Sequence, residues 1–324
     1  MKLPPGPSRL QIVAIFGAAS WVAFFLLSAL RARPLSAPMA QPLRVAPSAR
    51  GKERVLAVVG VMTGRFDAQR VRDGGPKYDY VARRAALLHS WFPSTAGEVA
   101  RVRDMGLVIK FVVSREHDAD VRALASELPG SVMVLDEVES ETYLDLPTKV
   151  HAFLAQAARE YDVDWVVKAD DDIWLNPERL AAALKEWGAM GDYVGCMKTG
   201  PIFTSPDQRW YEPDHALLGS KEYFRHAWGP IYALQRRAVE AVTQIPAGSL
   251  RHFANEDVTV GAWMLALAMA HHHDPRLCSA HCSATSVAVY DIPRSAGLSD
   301  PQAQLPVLAS DPCCTDADGS SCGS

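Results

Sequence analysis

The sequence predicts an α/β domain whose mostly parallel, twisted sheet is flanked by helices, with an N-terminal transmembrane helix before it. Two patterns support the domain. A continuous apolar run at 55–61 is typical of a strand buried on both faces of a parallel sheet, and the segment at 107–113, apolar apart from Lys110, predicts a second strand. These runs alternate with segments of helical apolar spacing, such as 148–161, and such alternation indicates strand–helix–strand units.

The N-terminal region carries one long apolar segment. Residues 12–30 contain no charge, and at about 1.5 Å per residue their helix would just span a bilayer core of roughly 30 Å. We therefore expect a cytoplasmic tail over 1–11, a signal anchor over 12–30 and a flexible stem over 31–53. A cleaved signal peptide and a buried core helix are the alternatives.

The globular domain is expected over 54–290. Its expected strands are 55–61, 107–113, 132–135 and 165–167, and its expected helices are 80–91, 148–161 and 178–187. Pro93 ends the first of these helices and Pro177 opens the last. Ligands of such sheets bind at the carboxyl ends of the strands. The residues that follow the strand at 165–167 are therefore candidates for a site.

Composition and cysteine use limit the possible functions. The formal net charge is −4, which gives no electrostatic reason to expect a nucleic-acid partner. All six cysteines follow the apolar segment, and an even number there is typical of an oxidising compartment. Cys196 taken alone fits a buried thiol equally well. Residues 291–324 are rich in Pro, Ser, Ala and Asp and predict a loosely ordered tail tethered by cysteines.

Three adjacent carboxylates follow the strand at 165–167. Asp170, Asp171 and Asp172 repel one another unless a cation lies among them, and Mg²⁺ and Mn²⁺ prefer oxygen ligands. Such a metal stabilises the charge that develops on a departing diphosphate. A solvated acidic turn that caps the next helix is the alternative. The buried strand and the neighbouring Lys168 favour the metal site, and we expect Lys168 to belong to it.

A second acidic pair, Glu256 and Asp257, opens an apolar helix. The helix dipole stabilises ionised carboxylates at this position, and an ionised carboxylate is what a general base requires. A capping cluster without catalytic function explains the same pattern. The pair is therefore a candidate for the catalytic group, and the pattern alone leaves both interpretations open.

Nine motifs occur in the order typical of one enzyme family. They are VLAVVGVMTG (55–64), RRAALLHSWFP (83–93), IKFVVSR (109–115), ETYLDLPTK (141–149), KADDD (168–172), YVGCMKTG (193–200), RWYEP (209–213), YFRHAWGPIYAL (223–234) and NEDVTVGAW (255–263). In these motifs the chain resembles the β-1,3-galactosyltransferase family, which includes the fringe-type transferases, and most of all its plant and algal branch. Together they cover nearly the whole expected globular region.

The resemblance implies a GT-A glycosyltransferase fold, a UDP-sugar donor and Mn²⁺ as the usual metal. It implies that Asp170 and Asp172 bind the metal, with Asp172 the direct ligand, and that Asp171 contributes to the donor site. Asp257 matches the general base of the family, and Glu256 precedes it in the same motif. Direct displacement by an acceptor hydroxyl would invert an α-linked donor into a β-linked product.

Further positions follow from the same resemblance. Arg83 and Arg84 match positions near the nucleotide. Lys149 lies in a segment that leads towards the donor site, although a lysine on a helix surface explains it as well. The sugar cleft is expected to include Trp210, Tyr211 and Glu212, because aromatic faces suit the C–H surfaces of sugars. A buried aromatic pair is the alternative for the two aromatic residues.

Two departures from the family pattern bear on specificity and on the metal. The glycine-rich SGGGY segment of the family is AWGPIY here (227–232). Its bulkier Trp228 and stiffer Pro230 indicate a changed choice of sugar, so we add Trp228 to the cleft. The metal-binding histidine of the family has no firm counterpart, and we take His281 as the candidate. The histidine run at 271–273 is more typical of an exposed turn.

The expected function is the transfer of a hexose, galactose on branch resemblance, from a UDP-sugar to a glycan or glycoprotein through a β-1,3 linkage. The expected location is the Golgi membrane, in a single-pass type II arrangement with a lumenal domain. UDP-N-acetylglucosamine and UDP-glucuronate are alternative donors. A non-catalytic glycan-binding protein or folding chaperone is a further alternative, disfavoured because the acidic triplet and the base are both retained.

Overall fold

The computed structural model of the chain describes residues 51–65, 67–74, 79–115, 119–138, 142–208, 210–290, 301–317, 320 and 322. The predicted tail and signal anchor, and most of the predicted stem, lie outside these residues. Among the helices that are described, none combines the length and the apolar character needed to cross a membrane.

The strands are β1 (Glu53–Met62), β2 (Leu107–Ser114), β3 (Val132–Leu135), β4 (Tyr161–Asp170), β5 (Trp174–Leu175), β6 (Tyr193–Lys198), β7 (His226–Gln235), β8 (His271–His273) and β9 (Ala288–Val289). Seven of them form one sheet in the order β3-β2-β1-β4-β7-β6-β8, and β5 pairs with β9 separately. Within that sheet β7 alone runs against the others. The prediction of a mostly parallel sheet is confirmed.

The α-helices of the described residues lie between these strands along the chain, except for the last two, which follow β9. They are α1 (Ala68–Gly74), α2 (Tyr80–Leu88), α3 (Ala96–Asp104), α4 (Ala119–Glu127), α5 (Leu146–Glu160), α6 (Pro177–Trp187), α7 (His215–Leu218), α8 (Arg236–Thr243), α9 (Glu256–Ala266), α10 (Pro301–Ala309) and α11 (Pro312–Thr315). Asp79 caps α2 by accepting a hydrogen bond from the Ala82 N–H, and Asn176 caps α6 through the Arg179 N–H. The helices predicted at 80–91, 148–161 and 178–187 are confirmed with small shifts of their ends.

The sheet separates two apolar layers. Val59 contributes to one layer and its neighbour Val58 to the other, because successive side chains of a strand point to opposite faces. This explains the continuous apolar run of β1. Gly60 lies against α5, where an added Cβ would come within 2.3 Å of the Phe153 ring. A side chain at position 60 would therefore push α5 away from the sheet.

The C-terminal segment belongs to the folded domain. Leu305 and Leu308 of α10 are buried in the core, and α10 packs against α2. The predicted loosely ordered tail is therefore wrong for residues 301–317. It failed because a short helix containing a proline gives a weak periodic signal.

Disulfides connect this segment and the sheet to the rest of the domain. The pairs are Cys196–Cys278, Cys282–Cys314 and Cys313–Cys322. The predicted disulfides are therefore present, and Cys196 is paired rather than a buried thiol. Cys196 lies in β6, so its disulfide fixes the inner part of the sheet to the turn that follows β8.

Candidate active site

A cleft of about 510 Å³ opens at the carboxyl end of β4. The acidic triplet and the start of α9 meet there, because β4 ends at Asp170 and α9 begins at Glu256. The charged and aromatic residues that line it include Lys168, Asp170, Asp172, Lys198, Trp210, His226, Trp228, Glu256, Asp257 and Tyr290. The structure thus brings the two acidic motifs of the sequence into one cleft.

The three acids of the triplet have different surroundings. Asp170 and Asp172 line the cleft, whereas the side chain of Asp171 is buried beside α2. Burial and the Asp172 carboxylate raise the pKa of Asp170 to about 7, against the opposing charge of Lys168. Burial and the Asp171 carboxylate also raise the pKa of Asp172, against the charge of Arg83. Both shifts reflect an excess of negative charge in a partly desolvated place.

Arg83 connects helix α2 to this triplet. Its guanidinium pairs with Asp171, and its Nη2 lies 3.2 Å from Asp172 Oδ2. Burial opposes the charge of Arg83, but the two carboxylates outweigh it and raise its pKa. Trp91, which follows α2, donates a hydrogen bond of 2.8 Å to the Ile173 carbonyl just after the triplet. Two groups from this part of the chain therefore hold the acidic turn in place.

Lys168 lies at the centre of a buried network under the cleft. Its ammonium pairs with Asp170, donates to the Gly229 carbonyl at 2.6 Å and lies 3.6 Å from Glu256 Oε2. Burial opposes the charge of Lys168, but these carboxylates raise its pKa. The Tyr232 hydroxyl donates to Glu256 from the other side. Glu256 is thus engaged on both oxygens and acts as a structural link between β4 and α9.

Asp257 faces the open cleft from the first turn of α9. Its Oδ1 accepts a hydrogen bond of 2.9 Å from the Val258 N–H, and its Oδ2 lies 3.1 Å from Lys198 Nζ. The Nε2 atom of His226 lies 3.7 Å from the same Oδ2. Burial lowers the pKa of His226, against the charge of Asp257, so the imidazole is neutral at pH 7. The geometry suits Asp257, not Glu256, as a group that receives a proton.

The donor set suits a divalent cation. The buried Asp172 Oδ1 and Asp171 Oδ2 have no hydrogen-bond partner among the described residues. The five carboxylates named above face three cationic side chains, so two negative charges would remain if all were ionised (5 − 3 = 2). A hard divalent cation with oxygen ligands fits the unpartnered oxygen of Asp172, which lines the cleft, and this excess charge.

Two basic residues expected near the nucleotide lie beneath the end of β1 instead of lining the cleft. Arg84 is buried and donates from Nη1 to the Thr63 hydroxyl at 3.2 Å and to the Gly64 carbonyl at 2.5 Å. Lys149 is also buried and donates to the Thr63 carbonyl at 2.5 Å. Lys149 is therefore not a lysine on a helix surface. Both side chains shape the turn at 63–64, which follows β1.

The predicted sugar-cleft residues divide into two groups. Trp210 and Trp228 line the cleft, and the Trp210 side chain remains 43% exposed. Glu212 is fully buried; it accepts a hydrogen bond of 3.0 Å from the Ala254 N–H and one of 3.3 Å from the Tyr223 hydroxyl. Glu212 therefore supports the segment before α9 from within. Tyr211 lies beside His215 and does not line the cleft.

The structure does not bring His281 to the cleft. Its carbonyl accepts a hydrogen bond from the Ser286 hydroxyl, in the loop between Cys278 and β9. Among the described histidines, His226 is the one that lines the cleft. Neither His226 nor Lys198 was a candidate from the sequence, although both lie inside the quoted motifs at 193–200 and 223–234. Their position inside two shared motifs was the one available signal.

A family model described as galactosyltransferase matches residues 82–275. The chain belongs to the galactosyltransferase family. The resemblance drawn from the nine motifs is thereby confirmed, and glycosyl transfer is the reaction class of this family. The match covers the acidic triplet, Lys198, His226 and Asp257.

Three plant members of the galactosyltransferase family show how far the similarity extends, all from Arabidopsis thaliana. Probable beta-1,3-galactosyltransferase 12 is 41% identical over 79% of this chain and 66% of its own length. Probable beta-1,3-galactosyltransferase 13 is 42% identical over 78% of this chain and 71% of its own length. Hydroxyproline O-galactosyltransferase HPGT1 is 30% identical over 75% of this chain and 69% of its own length. The chain thus spans about two thirds of these relatives.

The likeness to solved structures is more distant. A glycosyltransferase involved in the glycosylation of the major capsid of PBCV-1 covers 78% of this chain and 98% of its own, at 12% identity and a TM-score of 0.37. The family membership therefore rests on the sequence match and on the motifs, not on this likeness.

Proposed function

We propose that the chain is a metal-dependent, inverting glycosyltransferase of the GT-A type that transfers galactose from UDP-galactose to a glycan or glycoprotein, forming a β-1,3 linkage. One observation carries the proposal: Asp170 and Asp172, from the end of β4, line the same cleft as Asp257, from the start of α9. An acidic pair that suits a cation and a carboxylate that suits a base are the two parts that such a transfer needs.

The residues divide the work as follows. Asp172 and Asp170 would hold a divalent cation, Mn²⁺ in this proposal, which when bound stabilises the negative charge of the departing UDP. Asp257 accepts the proton of the acceptor hydroxyl while its oxygen forms a bond to the anomeric carbon. The bond from that carbon to the UDP oxygen breaks, and its electron pair leaves with UDP. One displacement inverts the configuration, so Asp257 suffices without a covalent enzyme intermediate.

Two observations favour Asp257 over Glu256 as this base. Glu256 is buried, and burial raises its pKa against the charge of Lys168. It is also engaged by both Lys168 and Tyr232. Asp257, one position further along α9, presents Oδ2 to the open cleft. An acceptor hydroxyl can therefore reach Asp257, while Glu256 supports the network below it.

The identity of the sugars follows from the relatives. The chain is 41–42% identical to two probable beta-1,3-galactosyltransferases, which supports galactose and the β-1,3 linkage. The similarity to a hydroxyproline O-galactosyltransferase supports a glycoprotein acceptor. UDP-N-acetylglucosamine and UDP-glucuronate are the donors against which this assignment must be tested.

The proposed location is the Golgi membrane, with the domain in the lumen and the apolar segment 12–30 as the anchor. The three disulfides support an oxidising compartment. A fluorescent fusion of the full chain, together with protease protection of sealed vesicles, tests this location. Cytosolic exposure of the domain would contradict it.

The activity is tested with the full-length protein in detergent. Purified wild type, D257N and D104N, whose Asp104 is exposed on α3, are each given the three UDP-sugars and a galactose-containing acceptor, with Mn²⁺ or with EDTA. We expect transfer from UDP-galactose only with the metal. D257N should lose transfer by a factor of roughly 10² to 10⁴ while retaining UDP binding, and D104N should match the wild type.

Each part of the proposal has its own contrary result. Full activity in EDTA would contradict the proposed metal dependence. Turnover of D257N at the wild-type rate would contradict the assignment of Asp257 as the general base. Preference for another UDP-sugar would change the donor but keep the reaction class, whereas a folded wild type that ignored every donor would contradict the enzyme assignment itself.

A further inference from the structure

Among the described residues, Lys198 is the cation that pairs with the proposed base, and its place is fixed by the sheet. It is the last residue of β6, where Lys198 pairs with His226 of β7. The Cys196–Cys278 disulfide lies two positions before it and anchors this strand. The register of the two strands shifts between Gly195 and Met197, and the extra residues of β7 include Trp228. The shift places the Lys198 and Trp228 side chains on the same cleft wall.

The Lys198 ammonium is held between a carboxylate and an aromatic face. Its Nζ lies 3.1 Å from Asp257 Oδ2 and 5.4 Å from the centroid of the Trp228 ring. Trp228 is itself held edge-on by Tyr290, with ring centroids 4.7 Å apart. Such a cation–π contact restricts a side chain that would otherwise be flexible. Lys198 is therefore directed at one oxygen of Asp257.

His226, which faces the same oxygen, does not donate a hydrogen bond to it. Its Nδ1 lies 2.8 Å from the Phe224 carbonyl, and because a carbonyl only accepts, Nδ1 carries the hydrogen. The neutral ring then turns the lone pair of Nε2 towards Asp257, and a lone pair cannot donate. Among the described residues, Lys198 is thus the side chain that pairs with Asp257 at hydrogen-bond distance.

We propose that Lys198 is a positioning residue for glycosyl transfer: its ammonium pairs with Oδ2 of Asp257 and directs this oxygen into the cleft, where the acceptor hydroxyl arrives. This inference rests on the proposed function of Asp257. A carboxylate oxygen has more than one lone pair, so Oδ2 can pair with the Lys198 ammonium and accept a hydrogen bond from the acceptor hydroxyl at the same time. Because a displacement of about 1 Å at a reacting group costs roughly 100-fold in rate, the orientation of Asp257 matters for turnover.

The test compares K198M, K198R and K185M in the full-length protein, where Lys185 is exposed on α6. We expect K198M to lower kcat by roughly 100-fold with the KM for the UDP-sugar within about twofold of wild type. K198R retains the charge and should recover most of the loss, and K185M should match wild type. The D257N/K198M double variant should be no slower than D257N, because Lys198 acts through Asp257.

Three results would overturn the inference. The first is a K198M variant with the wild-type kcat. The second is a loss confined to the KM for the UDP-sugar, which would make Lys198 a donor-binding cation. The third is a further large loss on adding K198M to D257N. An inactive wild type would instead contradict the proposed function. If K198M does not fold, K198R still tests the inference, because it retains the positive charge at position 198.

Discussion

Arg83 of α2 lies 3.2 Å from Asp172 and pairs at the same time with the buried Asp171. One guanidinium thus fixes both the cleft-facing acid and the buried one. The triplet is therefore not three equivalent ligands: Asp171 keeps Arg83 in place, and Arg83 orients Asp172. If Asp172 binds the proposed cation, Arg83 is a partner of a metal ligand, and loss of such a partner commonly lowers metal affinity by roughly 10- to 100-fold.

The first prediction concerns this arrangement. R83M should weaken Mn²⁺-dependent UDP binding by roughly 10- to 100-fold, because Asp172 loses its orientation. It should also destabilise the fold, because the buried Asp171 carboxylate loses its counter-charge. Adding D171N to R83M should restore the stability but not the affinity. Calorimetry measures the binding of UDP and Mn²⁺, and urea unfolding measures the stability. An unchanged affinity in R83M would refute the proposal that Arg83 orients Asp172.

The second prediction concerns Lys168, whose side chain is 1% exposed. K168M leaves Asp170 and Glu256 together in a buried place without their shared cation. We expect a loss of about 3–5 kcal/mol in the free energy of unfolding, since removing one partner strands a buried charge. K185M, an exposed change of the same type, should cost less than about 0.5 kcal/mol. Urea denaturation measures both, and equal stabilities of K168M and K185M would be the contrary result.

The acidic part of the site could be predicted from the sequence for physical reasons. The residues at 165–167, shortly before Asp170, are all apolar, so they predict a buried strand, and ligands of parallel sheets bind where such strands end. Asp257 could also be predicted from the sequence, because it is one of two acids at the start of an apolar helix. Both signals are local in sequence.

The remaining part of the site depends on distant contacts. Lys198 reaches Asp257 only because β6 and β7 pair with a shifted register, and β7 contains Gly229 and Pro230, which weaken a strand pattern. Glu212 is a charged residue of the kind expected in a sugar cleft. It is nevertheless fully buried, and its carboxylate accepts hydrogen bonds from the Ala254 N–H and the Tyr223 hydroxyl. Contacts between residues that are distant in the sequence produce no hydrophobic periodicity, so they could not be predicted from local sequence patterns.

The third prediction concerns sugar choice at Trp228. Trp228 packs against Tyr290 and forms part of the cleft wall, in the segment 227–232 that resembles a glycine-rich segment of the family. W228G should admit a bulkier sugar and raise the kcat/KM for UDP-N-acetylglucosamine relative to UDP-galactose by roughly 10-fold. W228F keeps an aromatic wall and should leave the ratio near that of wild type. Competition between the two donors measures the ratio, and an equal ratio in both variants would exclude Trp228 as a selecting residue.

The fourth prediction concerns acid stability. Burial opposes ionisation of Asp192, but hydrogen bonds from Arg237 and the Ala270 N–H, with the Arg237 charge, lower its pKa. A lowered folded pKa means that Asp192 stabilises the fold above the unfolded pKa of about 3.9, and that this contribution is lost as the pH falls through the folded value. D192N should cost roughly 1.5–3 kcal/mol at pH 7 and flatten the decline below about pH 4. Urea unfolding from pH 7 to 3 checks this, with D104N as control; parallel curves for D192N and wild type would contradict it.

The last prediction concerns the C-terminal segment, which Arg179 of α6 holds by its backbone. The Arg179 guanidinium donates to the carbonyls of Ser283 and Ser286 at 2.7 and 3.0 Å, and to those of Cys313 and Asp316 at 2.9 and 2.7 Å. R179M leaves these carbonyls without this donor, so we expect a loss of about 3 kcal/mol or more in the free energy of unfolding.

R179M should also change UDP binding and the rate of disulfide reduction, in addition to the free energy of unfolding. Because α10 packs against α2, which carries Arg83, loosening the segment should also weaken Mn²⁺-dependent UDP binding. The Cys282–Cys314 disulfide should be reduced faster by mild dithiothreitol, since the chain around Cys314 is held by Arg179 and by Asn176. K185M, on the same helix, serves as the control for thiol labelling and for unfolding. If R179M matched K185M in thiol labelling, unfolding and UDP binding, Arg179 would contribute nothing to the hold on the segment or to the acidic site.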